Sequence, residues 1–111
     1  MALLYRFNEV RRPPKGTFFD RRELNQLLSL YSRRVSAGEW RDYAIDPRPG
    51  SAVFSVFRHT HDAPAFTIAK ERASRERRWE YVVLSGRETL IRASTMSAAL
   101  SVFERHLRVV S

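Results

Sequence analysis

One short stretch of the sequence, His59-Thr60-His61-Asp62, brings together residue types that bind metal ions. On an extended chain alternate side chains point the same way, so the two histidines would share one face. A structural zinc site needs four ligands, and the chain contains no cysteine that would complete the set. We therefore interpret this stretch as a polar hairpin turn and predict no metal site.

Paired carboxylates are the second arrangement that could do chemistry, and they occur in the stretch GEWRDYAID, residues 38–46. Asp42 and Asp46 are four residues apart, which on a strand puts them on one face with about 13 Å between them. That separation is too long for the two groups to share a proton or to flank a glycosidic bond. The sequence also has no G-x-S-x-G, P-loop or G-x-G-x-x-G motif. We predict that the protein is not an enzyme and binds no cofactor.

Arginine gives the strongest signal in the composition. The 111 residues carry 20 Lys and Arg against 12 Asp and Glu, a net charge of +8, and only two of the basic residues are lysines. The planar guanidinium binds oxyanions with two parallel hydrogen bonds, so this composition favours a polyanionic partner such as RNA or DNA. GC-rich codon usage also explains a high ratio of arginine to lysine, but it does not explain the net charge.

Four arginines fall in one short polar segment, residues 72–78, and they are Arg72, Arg75, Arg77 and Arg78. The segment either grips phosphates or is a solvated loop. The solvated loop is slightly favoured, because most of the positive charge is cancelled by nearby glutamates, namely Glu71, Glu76 and Glu80.

These residues must be positioned by a small domain with a helix at each end. Asp20 followed by Glu23 is typical of a capping box, and apolar residues then recur at helical spacing up to Gly38, which ends the helix. The pattern predicts a helix over residues 21–37 with an apolar stripe at Leu24, Leu27, Leu28, Tyr31 and Val35. Ser94 or Thr95 caps a second helix, whose stripe is Met96, Ala99, Leu100, Phe103 and Leu107.

Five runs of alternating apolar residues lie between the helices and predict strands at Trp40–Asp46, Ser51–His59, Ala65–Glu71, Trp79–Ser85 and Thr89–Ala93. Short connections imply antiparallel hairpins. The sequence thus predicts an α+β fold, a five-stranded antiparallel meander with an N-terminal and a C-terminal helix packed on one face. In the first strand, Tyr43 and Ile45 are expected in the core. Residues 17–111 form this single domain, and residues 1–16 form a flexible basic N-terminal segment.

Two helices cover only one face of the sheet, yet the second and fourth predicted strands are apolar on both sides. Three covers for the second face stay open: the N-terminal segment, a second copy of the protein, or stacked bases. Aromatic residues beside arginines on an open antiparallel sheet are how RNA-recognition sheets hold bases and phosphates. The candidate nucleic-acid-binding residues are therefore Phe54, Trp79, Tyr81, Arg58, Arg72, Arg75, Arg77 and Arg78.

Three stretches resemble a known family, and they read FDRRELNQLLSLYSRRVSAGEWRDYAID from Phe19, AVFSVFR from Ala52, and LRVV from Leu107. The sequence resembles a family of short alphaproteobacterial proteins catalogued only as a domain of unknown function. The resemblance covers roughly residues 18–110 and is densest over residues 18–58. It implies a bacterial, cytoplasmic setting, and it implies no activity, substrate or catalytic residue.

The sequence as a whole favours a small basic cytoplasmic module that binds RNA or single-stranded DNA. A homodimeric or partner-binding regulatory protein, with the homodimer formed through the second sheet face, is the alternative. No secretory signal is recognisable, and the longest near-apolar run, residues 52–57, is far below the ~20 residues that cross a bilayer, so no membrane partner is expected. The absence of cysteine suits a reducing cytoplasm.

Overall fold

The computed structural model describes residues 16–59, 63–73 and 78–110, with side chains up to Glu104. Helix α1 (Arg21–Ser36) comes first and helix α2 (Met96–Val110) comes last. The strands between them are β1 (Asp42–Arg48), β2 (Ser51–Phe57), β3 (Phe66–Arg72), β4 (Trp79–Ser85) and β5 (Glu88–Ala93). They form one antiparallel sheet in the order β1-β2-β3-β4-β5. The predicted α+β meander is confirmed. The predicted flexible segment falls almost entirely outside the described residues.

Helix α1 begins with the predicted capping box. The Glu23 backbone N–H donates to the Asp20 carboxylate, and the Asp20 backbone N–H donates to the Glu23 carboxylate, both at 2.8 Å. Each bond satisfies a backbone donor that would otherwise have no partner at the start of the helix. After the last turn, Gly38 adopts a φ of +77°, which suits glycine and stops the helix as predicted.

The buried face of α1 is rotated relative to the predicted apolar stripe. The residues at the centre of this face are Glu23, Leu27, Leu30 and Arg34. Predicted stripe residues that lie half-buried at its margin are Leu24, Leu28 and Tyr31. Val35 is 40% exposed, so its predicted core position is wrong. The reason is that Glu23 and Arg34 find partners in the interior, which an argument from apolar spacing alone does not anticipate.

Both helices pack on the same face of the sheet, which we call the covered face. Cross-strand pairing aligns Phe54 of β2 with Ile68 of β3, and Ile68 with Val83 of β4, in one row beneath the helices. The buried sheet residues of this face are Ala52, Phe54, Val56, Phe66, Ile68, Lys70, Tyr81 and Val83. Alternate residues of the same strands point to the other face, which no helix or strand among the described residues covers. We call this other face the open face.

Strand β1 differs from its prediction in both bounds and burial. Trp40 precedes the strand and is buried in the core, at 3% exposure, rather than starting the strand. Tyr43 and Ile45 lie on the covered face but remain 39% and 43% exposed, so their predicted core positions are wrong. The physical reason is that β1 is an edge strand at the margin of the helix layer, where Tyr31 of α1 packs edge-on against Tyr43, at 4.7 Å between ring centroids, and covers it only in part. Tyr43 still stacks on Phe54, with ring centroids 5.4 Å apart.

An aromatic cluster joins the end of α1 to α2. Phe103 of α2 packs edge-on against Trp40 at 5.4 Å and against Phe66 at 5.1 Å between ring centroids. The Arg34 guanidinium lies over the Trp40 and Phe103 rings, at 5.5 and 5.6 Å, and donates to the Phe103 carbonyl at 2.6 Å. It also pairs with the Glu39 carboxylate. Helix α2 has the predicted cap, since the Thr95 hydroxyl accepts from the Ala98 N–H at 3.1 Å.

Candidate functional site

Two of the three predicted stacking aromatics lie in the core. Phe54 is fully buried and Tyr81 is 8% exposed, both on the covered face. The sequence analysis placed them on an open sheet face, and that placement is wrong. The helices cover the face that carries the larger apolar side chains, because covering it removes more apolar surface from water. Neither ring is accessible to a base in the folded domain.

Trp79, the third aromatic, occupies a different position. It is half-buried at the start of β4 and pairs across the strands with Arg72 at the end of β3. The Arg72 guanidinium carbon lies 4.5 Å from the centre of the Trp79 ring, and the Lys70 ammonium lies 4.8 Å from it. Both distances are within the range of a cation–π interaction. Trp79 therefore holds two cations at the end of the sheet.

The β3–β4 hairpin closes next to this contact. The Ala73 backbone N–H donates to the Arg78 carbonyl at 3.2 Å, and the exposed side chains of Arg72 and Arg78 flank the connection. Two further predicted residues, Arg75 and Arg77, belong to the connecting segment and lie outside the described residues. We refer to Arg72, Arg78 and Trp79 together as the basic hairpin end.

Arg58 is not part of the basic hairpin end. It follows β2, whose Val56 pairs with Phe66 at the start of β3, whereas Arg72 stands at the finish of β3. The seven residues from Phe66 to Arg72 span roughly 20 Å of strand, so the two arginines are at opposite ends of the sheet. The Arg58 guanidinium instead lies 6.0 Å from the centre of the Phe66 ring.

Lys70, which contacts Trp79, also belongs to a buried ion pair. The Lys70 ammonium donates to the Glu23 carboxylate at 2.8 Å and to the Phe18 carbonyl at 3.0 Å. The Tyr81 hydroxyl donates to the other oxygen of the same carboxylate. Burial raises the pKa of Tyr81, and the hydrogen bond to the Glu23 side chain raises the same pKa further. These contacts fix the cation beneath the tryptophan ring, so Trp79 rests on a rigid support.

The open face carries a row of paired residues from one edge of the sheet to the other. In order they are Asp46, Val53, Ala69, Val82 and Arg92. Arg92 donates to Glu80 at 2.8 Å and to Glu71 at 3.2 Å, and these carboxylates raise the pKa of its guanidinium. Asp46 pairs with Arg48 at 2.8 Å. This face is therefore apolar at its centre and rich in carboxylates around it, which is unfavourable for a phosphate backbone.

Other chemistry receives no support from the described part of the chain. Within it, no group of three His, Cys, Asp or Glu side chains is placed to hold a metal ion. His61 and Asp62 of the predicted polar turn are outside that part. No described helix has the length and the apolar composition needed to span a membrane.

The sequence analysis missed a second basic group, formed by Arg41 and His59 beside Arg58. These three side chains line a pocket of about 410 Å³ whose other walls are Val35, Gly38 and Trp40. The signal was present in the sequence. Residues 49 and 50 alone separate β1 from β2, and a two-residue turn that pairs Arg48 with Ser51 also brings Arg41 and Arg58 to the same end of the hairpin.

Comparison with known proteins identifies a family and no activity. A family model described as "Protein of unknown function (DUF2794)" matches residues 17–100, which is more than half of the chain. The match ends before the last turns of α2 and starts at Thr17, where the described chain first pairs with β1. No curated protein and no solved structure matches the chain.

Proposed function

Because the chain belongs to this family, whose description assigns no function, we propose from its geometry that the protein is a small cytoplasmic module that binds single-stranded RNA or DNA. The ligand contacts the basic hairpin end, where arginines hold phosphates beside Trp79. The absence of cysteine fits the reducing compartment in which such a ligand is found.

The observation that carries the proposal is the stack of Arg72 on Trp79 at 4.5 Å, with Arg78 at the next position of the hairpin. A guanidinium held against an aromatic ring has lost side-chain freedom already, so less is lost when it binds a phosphate. Trp79 is half-buried, and the part of its ring that the two cations leave exposed is an apolar surface that a base can contact. Single-stranded nucleic acid supplies both partners, a phosphate and an unstacked base.

Electrostatics favours this end of the molecule over the open face. The open face carries Asp46, Glu71 and Glu80 around its apolar centre, and these carboxylates already pair with the nearby arginines, Arg48 and Arg92. The net charge of the whole chain is +8, so a polyanion is attracted to the protein and repelled locally from the carboxylates. The ligand is therefore expected to run past the basic hairpin end and to avoid the centre of the sheet.

The test is fluorescence anisotropy of a short labelled oligouridine with the full chain, across a salt series from ~50 to ~200 mM. The double variant Arg72→Gln/Arg78→Gln should bind more weakly. The slope of its log affinity against log salt concentration should be less steep by ~0.7 for each phosphate contact that is lost. Trp79→Leu should lower affinity by ~1–3 kcal/mol at every salt concentration and leave the slope unchanged. Circular dichroism establishes that each variant is folded.

A matched control removes the same charge elsewhere. Arg33 and Arg87 are both exposed, in the last turn of α1 and in the β4–β5 turn. Arg33→Gln/Arg87→Gln should lower affinity less than the hairpin variant does. Equal slopes for the two double variants would contradict the assigned site. Absence of binding to any oligonucleotide at ~50 mM salt would contradict nucleic-acid binding as a whole, since non-specific attraction already appears there.

A second candidate function, homodimer formation, rests on partly exposed apolar side chains of the open face. Val53, Phe57 and Leu84 are half-buried there, whereas Ala69 and Val82 beside them are already buried, at 7% and 3% exposure. A second copy packed face to face would remove the exposed parts of the three half-buried side chains from water. Sedimentation velocity over a range of protein concentrations should show a dimer that Val53→Glu converts to monomer. A wild-type protein that sediments as a monomer throughout would contradict this second function and leave the first intact.

A further inference from the structure

Two arginines line one pocket where β1 and β2 meet the end of α1. The paired register of these strands ends at Asp42 opposite Phe57, and Arg41 and Arg58 are the next residues beyond it on the two strands. The Arg41 backbone N–H donates to the Phe57 carbonyl at 2.7 Å, so Arg41 lies beside the end of β2. Like charges that line the same pocket repel each other.

No carboxylate among the described residues relieves this repulsion. Asp42 points to the open face and accepts from the Tyr43 backbone N–H at 2.8 Å, and Glu39 pairs with Arg34. Within the described part of the chain, neither Arg41 nor Arg58 has a carboxylate within salt-bridge distance. The two guanidinium groups thus form a concentration of positive charge that lacks a counterion in the described structure.

The basic side chains line a pocket at this end of the sheet. Arg41, Arg58 and His59 line a space of about 410 Å³ against Trp40 and Val35. Its walls are held firmly, because Trp40 packs against Phe103 in the aromatic cluster and the Tyr31 hydroxyl donates to the Arg41 carbonyl at 3.0 Å. The three basic side chains are all exposed, so a ligand reaches them from solvent.

We propose that this pocket is an anion site for a phosphate group, held by Arg41 and Arg58 with His59 as a further donor. A phosphate carries oxygens on several sides and up to two negative charges, so it accepts from both guanidinium forks at once and cancels their mutual repulsion. The pocket lies at the opposite end of the sheet from the basic hairpin end. It is therefore independent of the proposed nucleic-acid site, although the same oligonucleotide could present a terminal phosphate to it.

The experiment uses inorganic phosphate as the probe and the full chain as the protein. Two-dimensional ¹H–¹⁵N NMR during a titration at constant ionic strength should show saturable shifts confined to residues around the pocket. Arg41→Gln and Arg58→Gln should each weaken phosphate binding by about tenfold or more, because each removes a charge-assisted hydrogen bond. Arg87→Gln, which removes one exposed arginine in the β4–β5 turn, should bind phosphate like the wild type.

The same spectra show whether each single variant is folded. Because either variant alone tests the site, the test remains valid if one of them does not fold. Shifts that rise linearly without saturation would overturn the proposal. So would saturable shifts that both variants retain.

Paired oligonucleotides identify the source of the phosphate. In one outcome, an oligonucleotide with a 5′-phosphate binds more tightly than its 5′-hydroxyl counterpart, and Arg58→Gln removes the difference. This result supports the site and assigns the end of a nucleic acid as its ligand. Equal binding of the two oligonucleotides, together with saturable binding of inorganic phosphate, supports the site and assigns a small phosphorylated molecule. Loss of oligonucleotide binding in Arg72→Gln/Arg78→Gln, with phosphate binding retained, would show the two sites to be separate.

Discussion

Lys70 and Glu23 are 47 residues apart in the sequence, and their side chains form an ion pair of 2.8 Å in the interior of the domain. Less than one tenth of the surface of each side chain is exposed to solvent. The Glu23 carboxylate receives three donors, since it also accepts from the Tyr81 hydroxyl and from the Asp20 backbone N–H. One carboxylate thus caps α1 and ties that helix to strands β3 and β4 of the sheet.

Removing one partner of this pair should be costly. We expect Lys70→Met to lower the free energy of unfolding by ~3–5 kcal/mol, because it leaves the buried Glu23 charge without its cation. The double variant Glu23→Gln/Lys70→Met keeps an acceptor for the cap and removes both charges, so it should cost clearly less. Urea unfolding followed by circular dichroism measures both. Equal losses in the single and double variants would show that the two charges are not coupled.

Tyr81 should make stability depend on pH in the alkaline range. Its pKa is raised in the folded protein, first by burial and then by Glu23, above the value near 10 that an unfolded chain has. The contribution is therefore fully present below pH ~10 and is lost as the pH rises toward the folded-state pKa, by at most ~1.4 kcal/mol per pH unit.

Tyr81→Phe removes this proton and should flatten the fall in stability between pH ~10 and ~11.5, measured by urea unfolding at each pH. Tyr31, whose pKa is also raised by burial and by Asp42, keeps part of the slope in both proteins and serves as the internal reference. Identical slopes for wild type and Tyr81→Phe would mean that neither burial nor the contact with Glu23 raises the pKa of Tyr81 in solution.

Local signals in the sequence predicted most of the fold. The Asp20–Glu23 capping box, Gly38 as the helix stop and the alternation along β2 are patterns of neighbouring residues, and each appears as expected. These features depend on backbone geometry that a few adjacent side chains determine. They carry no information about what lies across the core.

Long-range partnerships explain what the sequence did not predict. Alternation along β2 and β4 distinguishes two faces but does not say which one the helices cover, so Phe54 and Tyr81 were assigned to the wrong one. The partners of Glu23, Lys70 and Arg34 come from other elements, so these residues could not be placed in the interior by apolar spacing. The Arg72–Trp79 contact is easier to predict from the sequence, because a short hairpin joins the two residues.

The rotation of α1 gives a direct test of which side chains carry its packing. Leu27 is fully buried, so Leu27→Ala should cost ~2–5 kcal/mol of unfolding free energy. Val35 is 40% exposed, so Val35→Ala should stay within about 0.5 kcal/mol of the wild type, as surface substitutions usually do. Thermal or urea unfolding distinguishes the two. A larger loss for Val35→Ala than for Leu27→Ala would restore the predicted stripe and contradict the observed orientation.

Gly38 should be required for its backbone conformation alone. Its φ is +77°, in the left-handed region, and a Cβ added there would meet no atom within 4 Å. Gly38→Ala should therefore cost about 1 kcal/mol through backbone strain and nothing through steric contact. Gly38→Asn is the matched control, because asparagine tolerates left-handed geometry better than alanine and should cost less. Both are measured by urea unfolding of the full chain. If alanine were tolerated as well as asparagine, α1 would not end in a left-handed residue, and the chain would enter β1 by a different turn.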